Sequence, residues 1–397
     1  MKAGVFMYPQ NRADLERFVA YEASGDHSHS QAHPDDELWE EDLRFGELVE
    51  PLGFDQIWTV EHHFSPYAMV TNTLQYLSYW AGRTERVGLG TMVVVLPWHH
   101  PLRVAEDITM LQYLLGDRDL TIGFGRGASR REYGGFNIPQ SESRQRFDEA
   151  VQVVKTALTE ERFSFNGQFF TIPDVSQRPE SPHLSLRPRP RDGRRLVDNF
   201  HGAWGSPQSA PLLGALGLRP LVIPQRGFVE YEKELAVANE ARRAAGYEPA
   251  SPTVAVWTVC APTTAKAQEI ADQANLGNFA LGDVNYEFSK GYHGNVPGYE
   301  HYAEMFKRAS EAAAAGASGD ATPYGDMPQG TPDQCIEKIQ GIIELLHPQQ
   351  LLFDFKFGGM SLADAEQSMR LFAQEVLPFV HELPEPSWPG AEVATPG

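Results

Sequence analysis

Short apolar runs rich in β-branched residues alternate with amphipathic stretches along nearly the whole chain, and this alternation restricts the fold more than any other feature. Strands that return in parallel need long crossovers, and crossover helices cover both faces of the sheet they serve. Strand-like runs fall at residues 3–7, 54–60, 87–95 and 119–125. The stretch 200–205 reads as the end of a fifth strand, 253–260 as a seventh and 351–357 as the last. Between them, Val104, Ile108, Leu111 and Leu115 recur at helical spacing, as do Leu362, Ala365, Met369, Phe372 and Val376. Helices are also expected over 38–52, closed by Gly53, over 74–81 and over 143–158.

About eight such units favour a closed barrel over an open, doubly wound sheet. The expected fold is therefore α/β, a single (β/α)8 TIM barrel with insertions. It spans residues 1–384 and ends in a loose, proline-rich tail over 385–397. Two interruptions stand out. A polar stretch from Tyr21 to Asp36 lengthens the loop after the first strand. A segment from Leu281 to Gly298, rich in glycine and aromatic residues, follows the seventh strand unit and reads as an irregular, lid-like loop.

Charge and cysteine content exclude several classes. The formal net charge is −20, which repels nucleic acid and anionic membrane surfaces. The two cysteines, Cys260 and Cys335, are too few for a disulfide framework and fit a reducing compartment. No apolar run has membrane-spanning length and the N-terminus lacks the layout of a signal peptide, so a cytoplasmic location is expected. His27, His29, His33, Asp35 and Asp36 are ligand types without the spacing of a known metal motif, and no metal is expected.

Barrel enzymes place their chemistry at the C-terminal ends of strands. Glu61-His62-His63-Phe64 follows the second strand, where a histidine suits proton transfer near neutrality. A pair of hydrogen-bonded structural histidines is the other reading. Gly123-Phe124-Gly125-Arg126-Gly127 follows the fourth strand: glycines admit a ligand to the backbone, and Arg126 can hold a phosphate through paired donors. A tight turn with a salt-bridged arginine fits the same residues. In Gly205-Ser206-Pro207-Gln208-Ser209, Ser206 reads as a helix cap with Pro207 in the first turn, a terminus that either binds phosphate or simply starts a helix. Thr331-Pro332-Asp333-Gln334 carries a capping box. Phe6, Trp58, Phe64 and Trp204 either line a substrate pocket or belong to the core.

Taken in order, these segments resemble the bacterial luciferase-like, flavin-dependent monooxygenases, including the luciferase α subunit. The resemblance runs through Glu61-His62-His63-Phe64, Gly90-Thr91 with Leu96-Pro97, and His100-Pro101-Leu102-Arg103-Val104-Ala105-Glu106-Asp107. It continues through Gly125-Arg126-Gly127, Ser143-Arg144, Gly330-Thr331-Pro332 with Cys335-Ile336, and Leu371-Phe372 with Val376-Leu377-Pro378-Phe379.

The resemblance implies a barrel that binds reduced FMN and O2, forms a flavin hydroperoxide at C4a, and oxygenates a small or medium apolar organic substrate. It makes His62 the catalytic histidine, Arg126 and Arg144 the phosphate-binding arginines, and Ser206 and Ser209 polar residues of the phosphate site. It also implies a non-proline cis peptide between Met92 and Val93, beneath the flavin ring. Gly125 stands where the luciferase α subunit has a reactive cysteine, which is expected to open room against the ring, and Gly205 replaces an acidic residue. A separate flavin reductase is expected, since no nicotinamide-binding fingerprint occurs. The family also implies a dimer through the helix starting near Pro101, expected here as a homodimer with Arg103 and Glu106 reaching across. A deazaflavin-dependent oxidoreductase on the same barrel, or a non-catalytic flavin-binding subunit, are the alternatives.

Overall fold

The computed structural model describes residues 1–25, 34–177, 179–304, 307, 325–384 and 388–389. His27, His29 and His33 lie outside the described residues, as does most of the expected tail.

Eight strands close into an all-parallel barrel, each hydrogen-bonded to its predecessor, with the eighth returning to the first. In chain order they are Lys2–Met7, Gln56–Thr59, Gly88–Val95, Leu120–Gly125, Phe200–Ala203, Arg219–Val222, Thr253–Trp257 and Gln350–Asp354. The barrel expected from the sequence is the one observed. The strands are buried on both faces, as the crossover helices require. The barrel interior is packed, with Trp58 lying over Gly90, where a β-carbon would stand 2.2 Å from its ring.

The differences lie in the connections. The polar stretch after the first strand begins with a helix, Leu15–Ser24, that ends at Gly25 in the left-handed conformation. The next helix, Asp35–Gly46, starts three residues before Leu38, with Asp35, Asp36 and Glu37 in the first turn where the helix dipole favours them. The sixth strand holds only four residues, one of them Pro220, and gives no run to detect. The seventh strand stops at Trp257. Val259–Cys260 leaves the barrel and pairs in parallel with Gln329–Gly330.

The lid-like segment is more ordered than expected at its start. A helix runs through it from Thr264 to Tyr286, so 281–286 are helical, and two 3-10 turns follow, Phe288–Lys290 and Tyr292–Asn295. The capping box forms as read: Thr331 accepts from the Gln334 backbone and Gln334 reciprocates. The Met92–Val93 peptide is cis. No helix among the described residues is long and apolar enough to cross a membrane.

Candidate active site

At the C-terminal ends of the strands a cavity of about 130 Å³ is lined by His62, Met92, Val93, Gly125, Arg126, Arg144, Trp204 and Ser209 among others. Several strand and helix ends thus contribute to one space, as barrel topology dictates.

The two adjacent histidines divide their roles. His62 is mostly buried, and its Nδ1 lies 2.9 Å from Glu132 Oε1. That oxygen also accepts the His63 backbone N–H at 2.9 Å. Glu132 comes from the short helix Arg130–Gly135, capped by Ser129, and is fully buried. An acceptor at Nδ1 favours the Nδ1–H tautomer and leaves Nε2 as the free base. Nε2 faces the hydroxyl of Tyr286, 3.2 Å away, at the end of the long helix after the seventh strand. Burial, reinforced by Tyr67 and Glu132, pushes the Tyr286 hydroxyl well up, so it stays a donor.

His63 points the other way. It packs edge-on against Trp98 and Phe136 and lies 3.2 Å from Glu61 Oε1. Glu61 also accepts from Val95 N–H at 2.9 Å and pairs with His99 at 2.6 Å. Burial opposes its charge, but His99, His63 and the Val95 amide hold its carboxyl below the usual range. His63 is therefore the structural member of the pair and His62 the one exposed to the cavity.

The same cavity is also lined by two cations, Arg126 and Arg144. Arg144 donates to Ser209 Oγ at 2.8 Å, and Ser209 Oγ lies 2.9 Å from Ser206 Oγ. Burial, then the neighbouring Arg126, lowers the Arg144 guanidinium to about 10, although Asp148 opposes this. Arg126 forms no ion pair among the described residues: it donates to the Gly298 carbonyl at 3.0 Å and lies under the Tyr299 ring. The salt-bridged turn is thus set aside.

Two sequence expectations change. Ser206 does not cap the helix that follows, which spans Ser209–Ala215 with Gln208 at its cap position. Its hydroxyl is turned to Ser209 instead. Gly125 opens no room, because Val93 Cγ2 sits 2.4 Å from where its β-carbon would be. Likewise the Tyr302 hydroxyl lies 1.9 Å from a β-carbon at Gly205 and fills the place a side chain would take there.

Of the four aromatic residues considered for a pocket, Trp204 lines the cavity, its indole donating to Glu234 at 2.7 Å. Phe6 and Trp58 lie in the core away from it: Trp58 donates to Gln56 at 2.6 Å and Phe6 packs between Tyr8 and Trp257. Phe64 has φ 60° and is half exposed against Gly135 and Phe136. It borders a second space of about 390 Å³ that also touches His62, Arg17 and Trp39.

Sequence reasoning missed Glu132 and the roles of Tyr299 and Tyr302. Tyr299 donates to the Gly127 carbonyl at 2.7 Å, and its hydroxyl oxygen lies 3.0 Å from Ser143 Oγ. Nothing in the local sequence marks the two tyrosines.

Comparison with known proteins identifies the family of the chain. The family described as luciferase-like monooxygenase is matched over residues 15–347. A 4-hydroxyprotoasukamycin monooxygenase of Streptomyces nodosus subsp. asukaensis is 31% identical over 46% of this chain and 47% of that enzyme, so the chain spans about half the length of that relative. The alkanal monooxygenase alpha chain of Aliivibrio fischeri is 24% identical over 83% of this chain and 90% of its own. Among solved structures, the oxygenating constituent of 3,6-diketocamphane monooxygenase from Pseudomonas putida is a type II Baeyer-Villiger enzyme in complex with FMN. It superposes with a TM-score of 0.70 at 18% identity, covering 95% of this chain and 98% of that one, which shows a shared fold.

Proposed function

The chain belongs to the luciferase-like monooxygenase family, and on that premise we propose that it is the oxygenating component of a two-component system using reduced FMN and O2. The observation that carries this reading is the make-up of one cavity: a positioned imidazole, two guanidinium groups and the Ser209 hydroxyl line it, with Ser206 Oγ 2.9 Å from Ser209 Oγ. That donor set matches a phosphate, which takes charge-assisted bonds from several directions.

In this reading Arg126, Arg144, Ser206 and Ser209 hold the FMN phosphate, and Met92, Val93 and Gly125 form the bed for the ring. Reduced FMN, when bound, supplies the electrons that activate O2. Glu132 fixes the imidazole of His62, and His62 Nε2 moves the proton that oxygen transfer requires. The substrate is a small or medium apolar organic compound, with Trp204 on the cavity side and Phe64 on the far side of His62. A separate flavin reductase supplies the cofactor.

The cavity of about 130 Å³ lies below the roughly 300–1,000 Å³ of ligand sites. Tyr286, Tyr299 and Tyr302, all on the segment after the seventh strand, border it. We take this segment as a lid that shifts to admit flavin and then excludes water from the reaction. We also take the assembled enzyme to be a homodimer. Within this chain Arg103 and Glu106 pair with each other at 2.6 Å, and the Arg103 side chain stays largely exposed. The same helix, Pro101–Leu115, also exposes Met110 and Leu114.

The test uses the purified protein with a flavin reductase, FMN and candidate compounds under ¹⁸O2, followed by mass spectrometry. One labelled oxygen in a product that requires His62 supports the reading. Hydride transfer from a reduced deazaflavin without oxygen, and no labelled product with FMN, would replace it with the deazaflavin alternative.

A further inference from the structure

The opposite mouth of the barrel holds a larger space, about 750 Å³, beside the N-terminal ends of the strands. In barrels of this kind that face serves stability, yet some of its charges do not suit that role. Lys2 and Arg195 share Asp119, and Arg191 pairs with Asp117. Arg219, at the start of the sixth strand, has no carboxylate partner among the described residues. It donates to Gln349 Oε1 at 2.9 Å, and its buried Nε meets no acceptor there.

Arg242 lies within its electrostatic reach. Its Nε donates to the Glu248 carbonyl at 2.8 Å, while its buried Nη1 is likewise without an acceptor among the described residues. Lys155 donates to the Leu216 carbonyl, and its ammonium shares the Tyr247 ring with Arg242. Three cations therefore adjoin inside a chain of formal net charge −20. Burial, then Arg242, lowers Lys155 to about 8; burial, then Arg219, lowers Arg242 to about 10; burial also lowers Arg219. Asp198 is the carboxylate that opposes this at Lys155 and Arg219, without forming an ion pair with either. His201 beside them is held neutral by burial and by Arg219 and adds no charge.

Buried cations that repel one another and form no ion pair destabilise a folded chain. They are not a structural brace. An oxyanion would offset the repulsion and offer acceptors to N–H groups that have none. We propose that the N-terminal mouth of the barrel is a second binding site, separate from the flavin cavity, where Arg219 backed by Arg242 takes the carboxylate or phosphate group of a small organic ligand. The two spaces have no lining residue in common.

Calorimetric titration tests this on the full-length Arg126→Gln protein, in which anion binding in the flavin cavity is weakened. Inorganic phosphate and malonate are added separately at constant ionic strength. Saturable binding of one equivalent of either is expected, and the tighter of the two identifies the group recognised. Arg219→Gln in that background should weaken binding at least tenfold, and Arg219→Lys should weaken it less, because the charge stays and the fork is lost. Should Arg219→Gln fail to fold, Arg242→Gln supplies the same comparison and should also weaken binding. No saturable binding of either anion, or affinity unchanged when these arginines are replaced, overturns the site.

Discussion

Glu132 Oε1 lies 2.9 Å from both His62 Nδ1 and the His63 backbone nitrogen, so one buried carboxylate oxygen sets the tautomer of one histidine and the chain position of the next. On this geometry Glu132 is a positioning residue and His62 the group that moves the proton. His62→Ala should lower turnover by about 10² or more, the scale of general acid–base catalysis. Glu132→Ala should lower it by about 10–100-fold, the range for partners that orient a working histidine. Glu132→Gln, which can still accept from both nitrogens, should recover part of that loss. Reduced-flavin affinity should stay level in all three. Steady-state kinetics at saturating reduced FMN, with normal turnover in His62→Ala, would remove His62 from the mechanism.

A second prediction concerns Asp354, at the end of the last barrel strand. Burial, and Asp42 nearby, push its carboxyl up to about 8, although the Lys356 amide opposes this. The folded protein therefore keeps a proton that the unfolded chain releases near pH ~3.9. Its contribution to stability is full below that pH and is lost as pH rises through about 8. Asp354→Asn keeps a neutral side chain throughout. Urea midpoints should show the variant gaining on the parent protein between pH 5 and pH 8. A difference that is the same at both values would contradict the shift.

The closing segment gives a third. Tyr286 covers His62, and Arg126 and Gly127 are tied to Gly298 and Tyr299. Replacing residues 288–297 by a short glycine–serine link keeps Tyr286 on its helix and removes the cover beyond it. Flavin should still bind, product yield should fall and hydrogen peroxide release should rise, because water reaches the reaction. An unchanged ratio of product to peroxide would refute the lid.

The barrel itself was legible because eight parallel strands demand eight covered apolar runs, and most were long enough to see. The sixth was not: Arg219–Val222 is too short and contains a proline. Helix Thr264–Tyr286 runs past Leu281, where an irregular segment was expected, and tertiary packing tolerates its glycines; Gly277 lies against the Gly358 carbonyl, where a β-carbon would not fit. At the site, His62 and Arg126 were visible because they follow strands directly. Arg144 came only from the family resemblance, and it meets Ser209. Glu132 and Tyr302 were not visible, since their roles depend on which distant segment folds against them. Gly125 was misread because a missing side chain suggests space, whereas Val93 from the neighbouring strand occupies it.

The dimer is tested on helix Pro101–Leu115, where Met110 and Leu114 are 53% and 57% exposed. Large apolar side chains side by side on one helix face suit a symmetric contact. Leu114→Glu should convert a dimer into a monomer by light scattering at micromolar concentration without altering the melting profile of the barrel. A parent protein that is already monomeric would end this proposal.

The claim on which the account turns is that Arg144 and its neighbours hold the phosphate of reduced FMN, and anaerobic titration tests it most directly. Reduced FMN and reduced riboflavin, which lacks the phosphate, are each added to the parent protein and to Arg144→Ala, with a reduced deazaflavin as comparison. A lost charge-assisted contact in a buried site costs roughly 2–4 kcal/mol, or about 30-fold or more in affinity. The account predicts that margin for FMN over riboflavin in the parent protein, and its collapse in Arg144→Ala with riboflavin affinity unchanged. Equal binding of the two flavins by the parent protein, or tighter binding of the deazaflavin, would contradict it.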